Sequence, residues 1–119
     1  MIQLGNLYRV GYGVGQDYTQ AVSWYRKAAT AGNPVGMFWL GYMYYTGFGI
    51  ERDYDQAVAW FRKAAEAGDD MSMDYLGSMY AAGQGVEKDE KQAVLWYRKA
   101  AALGNKYAGD ALTLLGQKP

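Results

Sequence analysis

The stretch LGYMYYTGFGIERDYDQAVAWFRKAAEAGD at residues 40–69 returns as LGSMYAAGQGVEKDEKQAVLWYRKAAALGN at residues 76–105. The two register without a gap at a spacing of 36 residues. One period upstream, Leu4, Gly5, Tyr8, Gly11, Gly13, Asp17, Gln20, Ala21, Val22, Trp24, Tyr25, Arg26, Lys27, Ala28, Ala29 and Gly32 hold the same places. A period of about 20 to 50 residues means stacked units, none of which buries its apolar face alone.

Within a unit the apolar residues recur with a helical period. Ala57, Val58, Trp60, Phe61, Ala64 and Ala65 recur at steps of three and four, leaving Arg62, Lys63 and Glu66 to reach water. Gly36, Leu40, Gly41 and Tyr44 repeat the spacing in the preceding arm, so each unit reads as a helical hairpin. Asp17-x-x-Gln20, Asp53-x-x-Gln56 and Asp89-x-x-Gln92 read as capping boxes, the carboxylate accepting an orphan amide and the glutamine reaching back. Asn33-Pro34 is a cap followed by proline at the first helical position, and Asp69 and Asn105 repeat the cap. Gly32, Gly68 and Gly104 come after alanine-rich runs and suit the left-handed residue that ends a helix. The Arg-Lys pairs near these ends complement the helix dipole. Gly5, Gly41 and Gly77 stand inside helices, where glycine costs about 1 kcal/mol against alanine. Their periodic place predicts close approach of the two arms, with Trp24, Trp60 and Trp96 packed around the contact.

The composition excludes much. Lysine plus arginine and aspartate plus glutamate balance at 12 each, so no general field draws the chain to nucleic acid or anionic lipid. Cysteine and histidine are both missing from the 119 residues, which removes disulfides, thiolate nucleophiles and the commonest metal ligands. No stretch is long and apolar enough to span a membrane, and the opening MIQLGNLYRVG lacks the cationic segment and apolar run of an export signal. The default compartment is cytoplasmic, or periplasmic or secreted if a signal has been removed.

The motifs that resemble catalytic or binding chemistry have structural readings. Gly11-Tyr12-Gly13-Val14-Gly15 looks like a phosphate loop, but Gly47-x-Gly49 and Gly83-x-Gly85 hold the same inter-arm turn, with no strand before them and no Lys-Ser/Thr after. The carboxylate pairs Asp53/Asp55, Asp69/Asp70 and Glu87/Asp89 sit in turns and first helical turns, where they cap rather than face one another across a cleft. No triad can be built without histidine or cysteine, and Ser23, Ser72 and Ser78 have no evident activating partner. Arg26/Lys27, Arg62/Lys63 and Arg98/Lys99 recur beside acids at structural positions, which disfavours the alternative of a nucleic-acid-binding solenoid. The expectation is a chain with no catalytic residue, no cofactor and no metal.

These residues resemble the Sel1-like repeat, a tetratricopeptide-like family. The pattern L-G-x-x-Y-x-x-G-x-G-V/I-x-x-D-x-x-x-A-x-x-W-Y/F-x-K-A-A-x-x-G is complete at residues 40–68 and 76–104 and also covers residues 4–32. The usual small residue four places before the leucine is Gly36, Ser72 and Ala108, two of them departures from alanine. The resemblance implies an all-α, right-handed superhelical solenoid of helix–turn–helix repeats acting as an adaptor or scaffold, mostly in bacteria, with no catalysis of its own. One branch of the family staples its hairpins with cysteines, which this chain lacks. The expected layout is a single repeat domain over residues 1–119, with units at about 1–32, 33–68 and 69–104 and a partial unit at 105–119. That gives three hairpins, the first arm shortened, plus a closing helix. Its Leu112, Leu114 and Leu115 leave little polarity there, so a piece of a longer protein or self-association through the end helices is the alternative reading.

In stacks of this kind the inner groove is lined by one face of each first arm. Val35, Phe38, Tyr42 and Tyr45 form such a row, offset from the Leu40/Gly41/Tyr44 stripe. Ile2, Asn6 and Arg9 precede it by one period, Met71, Asp74, Ser78 and Ala81 come one period later, and Tyr107 and Asp110 continue it. The candidate peptide-binding residues are Asn6, Arg9, Phe38, Tyr42, Tyr45, Asp74, Ser78, Tyr107 and Asp110, with Phe38 and Tyr42 equally suited to a core. The expected partner is a peptide segment of another protein, held by aromatic anchors with charges setting register.

Overall fold

The computed structural model describes residues 17–117. It contains six helices and, among the described residues, no strand: α1 (Tyr18–Thr30), α2 (Pro34–Thr46), α3 (Tyr54–Glu66), α4 (Asp70–Ala82), α5 (Glu90–Ala102) and α6 (Lys106–Leu114). The expected first arm of the opening unit lies outside the described residues. The described chain comprises the second arm of that unit, two complete hairpins and the closing helix. Each helix packs on its neighbours in sequence, most extensively within the hairpins α2–α3 and α4–α5. The body measures 44 × 26 × 23 Å. This is the all-α helical repeat expected.

Local chemistry sets every helix boundary. Asp17, Asp53 and Asp89 each cap a second arm by accepting from the backbone amide of Gln20, Gln56 and Gln92, at 3.1, 3.2 and 3.2 Å. The reciprocal half of the expected capping box has another partner. The Asp53 and Asp89 amides donate to the carbonyls of Tyr44 and Tyr80, both at 2.9 Å. Those carbonyls are orphans at the end of the first arm, so one bond satisfies two helix ends and ties the turn shut. Asn33, Asp69 and Asn105 cap the first arms as expected. At the other end Gly68 has φ +97°, and amides from Gly68 and Asp69 reach the Ala65 and Ala64 carbonyls at 3.0 Å. That pair of bonds is the Schellman closure, and the same geometry recurs after α1 and α5.

The core runs down the stack. Leu40 and Met43 on α2 pack against Ala21, Val22, Tyr25 and Ala29 on α1, while Phe38 joins Phe61, Leu76, Met79 and Tyr97 in the larger cluster. The close approach expected at the helical glycines is present, but tryptophan does not make it. A methyl group on Gly41 would lie 2.9 Å from the Phe61 ring, and one on Gly77 would lie 2.9 Å from the Tyr97 ring. The aromatic residues immediately after Trp60 and Trp96 point between the arms, while Gly5, the third such glycine, lies outside the described residues. Trp24 and Trp60 are half-buried and Trp96 belongs to the buried core, and each carries a cation: Lys27, Lys63 and Lys99 stand 4.4, 4.8 and 4.6 Å from the rings of Trp24, Trp60 and Trp96. The partner arginines tie successive units together, Arg26 donating to the Tyr44 hydroxyl at 2.9 Å and Arg62 to the Tyr80 hydroxyl at 2.8 Å.

Candidate peptide-binding groove

The first arms α2, α4 and α6 stand side by side, and one depression of about 460 Å³ opens across them, lined by Tyr45, Met71, Asp74, Tyr75, Ser78 and Tyr107. A comparison of repeats explains its origin. Where α2 carries Phe38, Tyr42 and Tyr45, α4 carries Asp74, Ser78 and Ala81 one period later. Three large aromatic side chains give way to three small ones, and the space they leave is walled by tyrosines from the flanking arms.

The sequence-derived candidates divide in the structure. Asn6 and Arg9 lie outside the described residues. Phe38 is 7% exposed and belongs to the core, its ring 5.8 Å from Phe61 and 5.5 Å from Tyr75, because α4 closes over it. Tyr42 is half-buried, edge-on to Tyr75 at 5.9 Å, and supports the row from beside the depression. Tyr45 lines the depression, edge-on to Tyr75 at 5.8 Å, and its hydroxyl donates to the Gln84 side chain at 3.5 Å. Ser78 shares a 2.8 Å hydroxyl–hydroxyl hydrogen bond with Tyr97. Tyr107 is 66% exposed at the rim, and Asp110 is exposed outside the lining. Tyr75 is the lining residue that sequence reasoning missed. Its signal was the aromatic Trp39 one period earlier, beside the chosen stripe rather than on it.

Asp74 is the unusual group. It is 9% exposed, and no donor or cation among the described residues holds its pKa down. Burial, and then the Asp70 charge one turn away, raise its pKa from 3.8 to about 6. Asp70 is itself engaged, accepting from Asn105 Nδ2 at 2.9 Å. Burial also raises the Tyr75 and Tyr97 phenols, with Tyr42 the next contributor at Tyr75; at Tyr97 the Ser78 hydrogen bond works in the opposite direction.

A larger depression of about 630 Å³ lies at the second inter-arm turn, lined by Arg62, Tyr80, Val86, Glu87, Lys88, Asp89 and Gln92. Volume does not decide between the two. There Arg62 is bonded to Tyr80 and Asp89 caps α5, so those groups already have partners. Among the described residues no three acidic, histidine or cysteine side chains converge as a metal site, and no helix is long and apolar enough to cross a membrane.

A stack of near-identical hairpins with a lined groove across its first arms is a helical-repeat solenoid. A family model described as Sel1 repeat matches residues 1–33, 34–69 and 70–105, and the chain belongs to the Sel1 repeat family. Solved bacterial structures agree. The protective antigen c5321 of uropathogenic Escherichia coli strains, which displays an SLR fold, is 45% identical with a TM-score of 0.91, over 93% of this chain and 24% of that one. A Sel1 repeat protein from Oxalobacter formigenes is 41% identical with a TM-score of 0.90, over 94% of this chain and 46% of that one. The cysteine rich protein B (hcpB) of Helicobacter pylori is 27% identical with a TM-score of 0.79, over 93% and 86%. The chain thus spans less than half the length of the first two. No curated protein matches the chain.

Proposed function

We propose that the protein is a non-catalytic interaction module that holds an extended or helical peptide segment of a partner protein in the groove across α2, α4 and α6. Sel1 repeat proteins are in general protein–protein interaction modules. The observation that carries the finer reading is the depression itself, in which Tyr45, Tyr75 and Tyr107 from three successive first arms face one space. Tyrosine offers large contact area with little side-chain entropy to lose, which suits it as an anchor. So short a groove, used alone, binds in the micromolar range, at about −8 kcal/mol. Selection from a random peptide library, followed by amide chemical-shift mapping, tests this. Selected peptides are expected to shift residues of α4 and α6, and a Tyr75→Ala, Tyr107→Ala double variant to lose them. Peptides that shift only α1, α3 and α5 would place recognition on the opposite face.

Self-association is a second reading, favoured by Leu114 at 88% exposure and Leu103 at 57% on the closing end. The sequence points to Leu112 and Leu115 as the contact. Leu112 is instead fully buried in the core and Leu115 packs against it, so an end-to-end contact would centre on Leu114. Light scattering over a wide concentration range separates the readings, since association lost in a Leu114→Lys variant would establish the second.

A further inference from the structure

We infer that the groove selects peptides by a cationic side chain, lysine or arginine, seated on Asp74 between Tyr75, Tyr45 and Tyr107. The inference rests on the groove reading and deepens it.

The repeat supplies an internal control. Asp74 occupies the position that holds Phe38 in the preceding unit, where the side chain is core. Nothing in the architecture calls for a carboxylate there. The Asp74 side chain is largely withdrawn from water, while its carboxylate still reaches the depression and gains from a group that pairs with it. The described residues provide no such partner: Asn105 is spent on Asp70, Ser78 on Tyr97 and Gln84 on Tyr45 and Tyr54. The group that completes the site therefore carries positive charge and hydrogen-bond donors.

The walls favour the same ligand. Aromatic faces attract ammonium and guanidinium ions, and the attraction grows as the cation leaves water. Three tyrosines line the depression that Asp74 lines, and its volume of about 460 Å³ lies within the range of clefts that hold ligands. The methylene stem of lysine or arginine suits this mixture, with apolar contact along the rings and charge at the base. Burial keeps the Asp74 proton affinity high, and a seated cation would oppose that effect and hold the carboxylate ionised.

The probes are peptides selected from the random library, resynthesised with each lysine or arginine changed to norleucine, and tested against wild type and Asp74→Asn. We expect the selected set to be rich in lysine or arginine. One norleucine replacement should weaken binding about tenfold or more, as should Asp74→Asn, and the two losses should not add. A second measurement does not depend on any variant. The carboxyl ¹³C titration of Asp74 should move to lower pH when a lysine- or arginine-containing peptide is bound. Peptides that shift Tyr75 and Tyr107 yet tolerate every norleucine replacement would overturn the cation inference and leave the groove reading standing. Peptides that leave the groove untouched would overturn both.

Discussion

Asp74 can be read as a group whose placement weakens the fold. Its folded pKa of about 6 lies above the ordinary 3.8, so between those values the folded chain holds a proton that the unfolded chain has released. Wild-type stability should therefore fall as pH rises from about 4 to about 6 and level off above that. The neighbouring Tyr75 and Tyr97 phenols, pushed up by burial, ionise well above this window. Asp74→Leu should lack this slope and gain roughly 1–2 kcal/mol at pH 7 after allowance for solvent screening. Chemical denaturation at several pH values checks it; parallel curves for the two proteins would remove Asp74 as the source. Gly77→Ala should act in the opposite direction. Alanine improves helix propensity by about 1 kcal/mol. The new methyl group, however, would lie 2.9 Å from the Tyr97 ring and 3.2 Å from the Ala93 carbonyl. Overpacking of that kind costs about 1–3 kcal/mol, so a net loss near 1 kcal/mol is expected in a thermal or denaturant melt.

Between helices, the joint from one unit to the next depends on a few directed bonds. Arg62 on α3 reaches Tyr80 on α4, as Arg26 on α1 reaches Tyr44 on α2. Arg62→Met and Tyr80→Phe should each cost about 0.5–1.5 kcal/mol, and the double variant little more than either alone. Full additivity in denaturant melts would show that the bond contributes nothing. Helices, caps and closing glycines were all legible in the sequence, because each is decided within a few residues of itself. Packing between arms was legible only in part. The helical glycines announced a close approach, but whether Trp60 or Phe61 fills it depends on the angle at which α3 faces α2, which no spacing states. The return of the Asp53 amide to Tyr44 was hidden for the same reason, since glutamine three residues on is the commoner partner by pattern. The groove shows the same division. The Phe38 to Asp74 and Tyr42 to Ser78 exchanges stand in the sequence, and so does the row they belong to. That the exchange hollows out a space walled by Tyr75 is visible only once α2, α4 and α6 lie side by side.

In the described chain each helix packs chiefly on its neighbours in sequence, and the contacts that skip one, such as Phe38 with Tyr75, still join adjoining units. Such an object differs from a globule in how it bears load. When its ends are drawn apart, the tension passes through every unit in series, and no contact between distant units shares it. The hairpins should give way one at a time, at modest force, leaving the remainder folded. Each release frees 36 residues. At about 3.3–3.6 Å per residue, less about 10 Å of folded thickness, that lengthens the chain by about 110–120 Å. Optical tweezers should record a staircase of nearly equal risers, retraced on relaxation because each hairpin re-forms against a standing neighbour. A single rip of the full contour length would mean that the units fail together. A protein yielding in this way works as a spring with counted coils, able to lengthen between two tethered partners without losing all its structure.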